Sequence, residues 1–515
     1  MRKSVVVFGL LTWWAAAAAL GGPRVEQWRK VEEAVRKGLP KTAIEQLEPI
    51  LAGALQDKAY GEAIKALGQK IALEGNIQGN KPEEKIFRLQ AELLKQPVEM
   101  KPVLEAILAN WYWHYFQHNR WRFLQRTQTA EAPGPDLQTW DLPRILAEID
   151  KHFTAALADE KTLKATPVSA YDDLLVKGSL PDACRPTMFD FLAYDALQFY
   201  CAGEQGAVEA EDKYELSAAG PIFDDAKQYL AWWRTFAVKE FPDSPTVKAL
   251  DLYGRLLEFH RTDADPTAFA EADLARLTFG HNKAVGEDKN DRYKAALQRF
   301  VDAQAEYSIS ARALAAWAAQ LHEEGESVEA RRLAQRGLNT HPKSPGAALC
   351  YNLIQQIEAP SVEISTERAW TEPLPSIQVT YRNVTKIFFR AVSQDFDAFL
   401  RAQRWGGINL DDKQRKQLLA RAPDLAWSEV LPATPDYRER TEALPAPKSL
   451  KPGFYFILAS HEPAFGSKNN VVSYTPVWVS DLALVMRMRP YENATEGFVL
   501  RARSGAPVAG ASVRA

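Results

Sequence analysis

Two histidines with the spacing of a helical metal site lie in an aromatic run in the first quarter of the sequence. His114 and His118 are four residues apart within 111–121, which reads Trp-Tyr-Trp-His-Tyr-Phe-Gln-His-Asn-Arg-Trp. Residues four apart share one face of a helix, and such a pair is a known zinc-binding arrangement. Tyr115 stands where a His-Glu-x-x-His peptidase carries its glutamate, and the sequence offers no third ligand nearby. We therefore predict no metal site here, and expect an aromatic core cluster or a concave binding surface.

The remaining reactive residue types give no catalytic set. Three pairs of adjacent aspartates occur, but adjacent residues on a helix point in different directions, so we interpret them as solvated faces or helix-start charges. The pairs are Asp172-Asp173, Asp224-Asp225 and Asp411-Asp412. The sequence contains neither a glycine-rich phosphate loop nor a Gly-x-Ser-x-Gly turn. We therefore predict no catalytic residue, no cofactor site and no enzyme activity.

The three cysteines do not suggest a disulfide framework. Cys184, Cys201 and Cys350 are an odd number spread over a chain of 515 residues. Buried free thiols are the expected state, and a Cys184–Cys201 disulfide is the alternative.

The N-terminus has the pattern of an export signal. Arg2 and Lys3 precede an apolar run over 4–20, which ends in small residues. This order is typical of a secretory signal peptide that is cleaved near Ala19 to Gly22. The alternative is an uncleaved membrane anchor, but a helix that spans a membrane needs about 20 apolar residues and this run is shorter. We predict a signal peptide over 1–22 and a protein of the periplasm, cell envelope or extracellular space, with membrane association only if the signal is uncleaved.

Charge argues against one class of partner. The 63 Lys and Arg residues nearly balance the 66 Asp and Glu residues, which leaves a net charge of −3. No basic cluster stands out, so nucleic acid is not expected as a partner. A hydrophobic content of 46% supplies enough apolar residues for several buried cores.

Residues 23–358 carry the period of successive helices. The first predicted helix has its apolar stripe on Trp28, Val31 and Val35, and Gly38 ends it. In the clearest repeat unit, Gly325 joins two helices whose small and large apolar residues are spaced as in tetratricopeptide hairpins. These residues are Leu314, Trp317, Ala318 and Leu321 on one helix and Ala330, Ala334, Gly337 and Leu338 on the other. Irregular insertions at 131–136 and 166–182 break a regular period, so we predict a degenerate α-solenoid.

Beyond residue 358 the apolar period changes to two, which is the period of strands. Ile377, Val379 and Tyr381 alternate with polar residues, and a return strand is predicted over 386–392. A helical insertion ending in the charged segment 411–416 follows. Further strands are predicted over 425–431, 453–459 and 471–480. These elements predict an antiparallel β-sandwich over 359–480.

The last residues predict the opening of a second β domain. Phe498, Leu500 and Ala502 alternate with the residues between them as in a strand, Ser504-Gly505 supplies a turn, and 507–513 is a predicted second short strand. An immunoglobulin-like sandwich needs about seven strands. We therefore expect 481–515 to begin a second, incomplete domain, and the chain to be the N-terminal part of a longer protein.

Four segments in this order resemble one protein family. They are Val379–Val384, Pro452–Ser460, Pro476–Leu484 and Gly505–Val513. After an exported helical region, their order and spacing resemble the N-terminal part of bacterial alpha-2-macroglobulin family proteins. The resemblance implies that 359–480 is a first macroglobulin-type domain, that a second begins at 481, and that the helical region is an extension.

The family resemblance implies an endopeptidase inhibitor that acts as a protease trap. In such a trap a client endopeptidase cuts a bait segment and the molecule closes around it. Many members also carry a thioester in the pattern Cys-Gly-Glu-Gln, whereas Cys201-Ala-Gly-Glu-Gln205 places its Cys and Gln one position too far apart. The resemblance implies that a bait segment and a thioester domain normally lie far beyond the region of residue 515, so neither is assigned in this chain. The present chain is expected to be a non-catalytic scaffold whose helical region contacts an envelope or protein partner.

Two further hypotheses come from other functional classes. The pattern Gly-x-Pro-Val-x-Gly-Ala-x-Val at 505–513 also resembles small carboxypeptidase-regulatory-like β domains of envelope proteins, and helical repeats recruit peptides or glycans. The chain would then be a cell-envelope binding module. An exported enzyme with its active site in the helical region has only His114 and His118 in its favour.

Overall fold

The computed structural model describes residues 24–79, 81–125, 136–202, 214–236, 240–402, 408–466, 470–489 and 494–513. The predicted signal peptide over 1–22 lies outside these residues, as does Gln205. Helices fill the described chain up to residue 358, and strands with two short helices follow from residue 361, as the change of apolar period predicts. Within the described residues, no helix combines the length and the apolar composition that crossing a membrane requires.

Sixteen α-helices are described before residue 361. They are α1 (Val25–Arg36), α2 (Pro40–Gln56), α3 (Tyr60–Ile77), α4 (Pro82–Leu93), α5 (Lys101–His118), α6 (Arg120–Gln125), α7 (Leu142–Ala156), α8 (Glu160–Ala165), α9 (Met188–Tyr200), α10 (Ala226–Trp233), α11 (Pro245–His260), α12 (Thr267–Lys283), α13 (Lys289–Ala303), α14 (Ser310–Glu323), α15 (Ser327–Thr340) and α16 (Pro345–Glu358).

The chain divides into two compact units. One comprises Met1–Leu314 with Lys343–Gly346, and the other comprises Ala315–Pro342 with Ala347–Ala515. The second unit therefore holds most of α14, all of α15 and most of α16 together with all the described strands. Residue 358 is the point where the helices of the first part of the chain end, and as a domain boundary it stays a prediction.

Helices of the first unit pack mainly on their neighbours along the chain. The α1–α2 hairpin is stabilised by a shared core that contains Trp28, Val31, Ala34, Ala43, Leu47 and Ile50. The third buried position of α1 is Ala34, whose small side chain permits close approach, whereas the predicted Val35 is 36% exposed. Gly38 ends α1 in the left-handed conformation at φ +69°, as its position predicts. The same neighbour packing continues from α2 to α3, from α5 to α7, and from α11 through α12 to α13.

Ten strands and two helices make up the described chain after residue 360. The strands are β1 (Ser361–Ser365), β2 (Ala369–Trp370), β3 (Ser376–Arg382), β4 (Lys386–Ser393), β5 (Leu425–Val430), β6 (Arg440–Pro445), β7 (Gly453–Ser460), β8 (Ser473–Val479), β9 (Leu482–Arg489) and β10 (Ala494–Arg501). The helices α17 (Phe396–Ala402) and α18 (Asp412–Ala420) lie between β4 and β5 in sequence.

The first eight strands form two sheets. One has the order β1-β3-β6, and the other has the order β2-β8-β7-β4-β5. All pairs are antiparallel except β2 with β8, where Trp370 lies opposite Val479 in a parallel register. The prediction of a wholly antiparallel sandwich is therefore wrong at this edge. The chain leaves β1 in the three-stranded sheet, crosses to the other sheet within a few residues and joins it running in the direction of β8.

The two sheets pack face to face around one apolar core. Alternate residues of the strands point into it, as the period of two predicts. Its members include Ile377, Val379 and Tyr381 of β3, Ile387, Phe389 and Ala391 of β4, and Tyr455, Ile457 and Ala459 of β7.

A second apolar core lies on the opposite face of the five-stranded sheet. Phe454, Phe456 and Leu458 of β7 pack there against Phe399 of α17 and Leu418 of α18. β7 is therefore buried on both faces. The insertion also differs from the prediction that it ends in the charged segment 411–416, because this segment starts a further helix.

The start of α18 is fixed by a capping box. Asp411 Oδ1 accepts a hydrogen bond from the Gln414 backbone N–H, and the Gln414 side chain accepts one from the Asp411 N–H.

The strands β9 and β10 form a separate antiparallel hairpin in which Phe498 lies opposite Val485. The strand predicted over 498–502 is thus present, but its partner is the preceding segment. The prediction of a strand over 507–513 is wrong, since only a single bridge joins Pro507 to Leu500. Proline has no N–H for a ladder, and Gly510 adopts a left-handed conformation at φ +70° that interrupts an extended strand.

Candidate binding surfaces

The predicted histidine pair lies near the end of α5. Both side chains are exposed, and His118 Nδ1 is 2.9 Å from the backbone oxygen of His114. The ring of His118 therefore contacts its own helix. No group of three or more potential metal-binding side chains occurs in the part of the chain that the structure describes.

The aromatic residues around this pair serve mainly as core. Trp111, Tyr112, Tyr115 and Phe116 are buried, which confirms the predicted aromatic cluster for these four residues. Trp121 is 74% exposed and lies on the short helix α6. A concave binding surface built from the remaining aromatic residues stays a prediction.

The aspartate pairs and the cysteines take structural positions. Asp225 Oδ1 caps the start of α10 by accepting from the Gln228 N–H at 2.9 Å, and Asp224 forms an ion pair with Arg292. The helix-start interpretation is confirmed for Asp225 and, through its capping box, for Asp411. None of the three cysteines forms a disulfide, and Cys184 and Cys350 are buried while Cys201 is half-buried.

Buried ionic clusters are the polar features that sequence reasoning missed. Glu271 is buried between Arg185 and Arg312, with Arg185 Nη2 3.0 Å from Glu271 Oε1. His152 is buried with Nδ1 2.5 Å from Glu105 Oε2. These partners are 86, 41 and 47 positions apart, so no local pattern connects them.

The ionic clusters are suited to stability rather than catalysis. A buried carboxylate costs free energy unless a cation and hydrogen bonds compensate it, and Glu271 has two guanidinium groups to do so. A general acid or base must reach a substrate proton, whereas Glu271 and His152 are enclosed by packed helices. We interpret these clusters as charge-compensated tertiary contacts.

A cleft of about 560 Å³ lies beside the β9–β10 hairpin in the second unit. Its apolar lining comes from the sandwich and includes Trp370, Leu374, Leu450 and Val479. The Trp370 ring is fixed because its Nε1 donates to Thr366 Oγ1 at 3.1 Å. A volume of this size is within the range of small-ligand and short-peptide sites.

Charged residues also line this cleft. Arg503 Nη2 lies 2.7 Å from Glu372 Oε2, and Arg501 pairs with Asp481. The backbone N–H of Ala502 also donates to the backbone oxygen of Asp481 at 2.7 Å. These contacts connect the segment after the hairpin to Glu372 of the sandwich and to Asp481 in the link between β8 and β9.

No family model, curated protein or solved structure matches this chain.

Proposed function

We propose that this chain is the non-catalytic scaffold of an exported endopeptidase inhibitor of the alpha-2-macroglobulin type. The observation that carries the proposal is the series of β elements in the second unit. The sandwich of β1–β8 is followed, after only Ser480 and Asp481, by the β9–β10 hairpin. This junction falls within Pro476–Leu484, one of the four segments that resemble the family. A protease trap needs such serially linked modules, because they must move together around a captured enzyme.

The helical part is proposed to be a tetratricopeptide-like region that contacts an envelope or protein partner. The α14–α15 hairpin supports this proposal, since Gly325 at φ +84° joins the two helices. The Glu326 N–H donates to the Leu321 oxygen at 2.8 Å and closes the turn. Ala330, Ala334 and Gly337 are buried on α15 at the positions where the repeat pattern requires small residues.

A comparison of large and small substrates tests the proposed inhibitor. The full natural protein is incubated with a panel of endopeptidases, and hydrolysis of a folded protein substrate and of a short chromogenic peptide is measured. A trap encloses the enzyme without blocking its active site, so we expect protein hydrolysis to fall by about ten-fold or more while peptide hydrolysis stays within about two-fold. No change in either rate, or an equal loss of both, contradicts the proposal.

Export is part of the same proposal and has its own measurement. Cell fractionation and mass spectrometry of the N-terminus are expected to place the protein outside the cytoplasm with its first residue near 20–23. A cytoplasmic protein that retains Met1 contradicts export.

The envelope binding module is the second candidate, and the cleft beside the hairpin favours it. A binding module would retain envelope peptides or glycans and would leave every endopeptidase of the panel fully active. Loss of envelope binding on substitution of cleft residues such as Trp370 or Arg503, without any effect on endopeptidases, would support this alternative.

A further inference from the structure

The helices α5 and α9 run side by side and in the same direction. Asn110 Nδ2 of α5 donates to Asp195 Oδ2 of α9 at 2.7 Å. About one turn further along both helices, the ring centroids of Trp113 and Phe199 lie 5.3 Å apart in an edge-to-face arrangement. A carboxylate and an aromatic pair therefore lie next to each other along this contact, which we call the α5–α9 face.

Asp195 is a half-buried carboxylate without a cationic partner. Among the described residues, Asn110 is the hydrogen-bond partner of its side chain, and no ion pair is formed. Loss of solvent contact raises the pKa of Asp195 to about 6, and the Asn110 hydrogen bond opposes this shift only in part. At neutral pH the group is still mostly ionised, so an uncompensated charge lies at the α5–α9 face.

Two other carboxylates of the first unit that have lost solvent contact are each paired with a cation. Asp150 Oδ1 lies 2.7 Å from Lys248 Nζ, and Glu271 has two arginines. Holding a desolvated carboxylate without a cation costs free energy. Asp195 lacks such a cation, and binding sites carry this kind of cost because a ligand can supply the missing charge.

The neighbouring histidine does not supply the missing charge. His114 follows Trp113 on α5 and is exposed. Although His114 is accessible to solvent, its imidazole is partly desolvated by the packed helix end, and this effect together with the nearby His118 lowers the pKa of His114 below its ordinary value. The imidazole is therefore neutral at pH 7 and adds no positive charge beside Asp195.

We propose that the α5–α9 face binds an organic cation, namely a lysine or arginine side chain of a protein partner. Asp195 Oδ1, which has no partner among the described residues, accepts the hydrogen bond from the ammonium or guanidinium group. Trp113, which is half-buried, offers the aromatic surface on which such cations pack. A divalent metal ion fits less well, because Ca²⁺ needs six to eight oxygen ligands and Mg²⁺ needs an octahedral set.

Short peptides test the proposed cation site on the full chain. The probes are acetyl-Gly-Lys-Gly-amide, its Arg counterpart and its norleucine counterpart, which has a similar apolar stem but no charge. Isothermal titration calorimetry is expected to show that the Lys or Arg peptide binds about ten-fold tighter than the norleucine peptide, because only the charged peptides form a charge-assisted hydrogen bond to Asp195. Spermidine serves as a fourth probe and represents a free amine.

Two variants separate a specific role of Asp195 from a general effect of charge. Asp195→Asn keeps the shape of the side chain and is expected to abolish the preference for the charged peptides. Asp302→Asn removes an exposed carboxylate on α13 and is expected to leave the preference unchanged. Circular dichroism and the thermal midpoint check that both variants fold.

Three results would overturn the proposal. The first is a folded Asp195→Asn variant that still prefers the charged peptides. The second is a wild-type chain that binds none of the probes up to millimolar concentration. The third is binding of spermidine alone, which would assign the site to free amines instead of a protein side chain. None of these results bears on endopeptidase inhibition, so the two proposals can fail separately.

Discussion

His260 lies between two aspartates inside the first unit and illustrates how single residues stabilise the helical region. Its Nε2 is 2.7 Å from Asp190 Oδ1, and its Nδ1 is 2.6 Å from Asp263 Oδ2. Burial on its own would lower the pKa of His260, but the hydrogen bonds to both carboxylates outweigh it and raise the pKa. The folded chain therefore binds this proton more tightly than the unfolded chain does, which links stability to pH.

The contribution of His260 to stability is expected to decrease as pH rises. Because the folded pKa is raised, this contribution is fully present below the unfolded pKa of about 6.5 and is lost as pH rises through the folded pKa. Urea unfolding followed by circular dichroism at pH 6 and pH 9 measures it. The loss of stability between these pH values is expected to be smaller in His260→Gln than in the wild type.

An exposed histidine supplies the control for this pH experiment. His118 lies at the solvent-exposed end of α5, so His118→Gln is expected to keep the wild-type difference between pH 6 and pH 9. If His260→Gln also keeps that difference, the Asp190–His260–Asp263 cluster does not cause the pH dependence of stability.

At the scale of elements, the sequence predicts most helices and strands because their apolar periods are strong. Trp28 and Val31 of the predicted α1 stripe are buried, as are the alternating residues Ile377, Val379 and Tyr381 of β3. The prediction errors lie where contacts between segments distant in sequence determine the structure. The strand predicted over 425–431 is present and pairs with β4, whereas the parallel β2–β8 pair depends on a crossing between sheets.

Functional features were harder to predict than elements, because their partners are distant in sequence. Asn110 and Asp195 are 85 positions apart, and neither residue has a local pattern that marks it. The cleft beside the hairpin likewise combines Glu372 with Arg503, which are 131 positions apart. In contrast, the helix-start role of Asp225 could be predicted, since a cap acts on residues two or three positions away.

Close packing of α10 against α11 gives a prediction at the same scale. A Cβ atom added at Gly254 of α11 would lie 2.3 Å from the Trp233 ring of α10. The ring cannot move freely, since its Nε1 donates to Asp251 Oδ1 at 3.2 Å. Alanine favours a helix over glycine by about 0.5–1 kcal/mol, but overpacking costs about 1–3 kcal/mol. We therefore expect Gly254→Ala to lower the free energy of unfolding.

A second helical glycine provides the matched control for this substitution. A Cβ added at Gly68 of α3 meets no atom within 4 Å, so Gly68→Ala is expected to stabilise the chain by up to about 1 kcal/mol. Denaturant unfolding of both variants measures the two effects. Stabilisation by Gly254→Ala would show that the α10–α11 contact yields more easily than its geometry implies.

At the scale of the whole molecule, apolar surface is distributed unevenly over the described chain. The two cores of the sandwich are closed, whereas the β9–β10 hairpin exposes apolar side chains on both faces. Leu484 and Met486 are 50% and 62% exposed on one face, and Val485 and Phe498 are 52% and 58% exposed on the other. A two-stranded hairpin is only marginally stable in water, and contiguous exposed apolar surface marks sites of association.

The exposed hairpin is expected to make the isolated 515-residue chain self-associate. Burial of apolar surface stabilises any contact that covers it, at about 25 cal/mol per Å². Light scattering after size-exclusion chromatography should show a mass that increases with protein concentration, and the paired substitutions Met486→Lys and Phe498→Lys should restore the mass of a single chain. Val430→Lys changes an exposed apolar residue on β5 and should leave the association unchanged. A single-chain mass that does not depend on concentration would contradict this prediction. It would mean that the hairpin tolerates solvent on both faces.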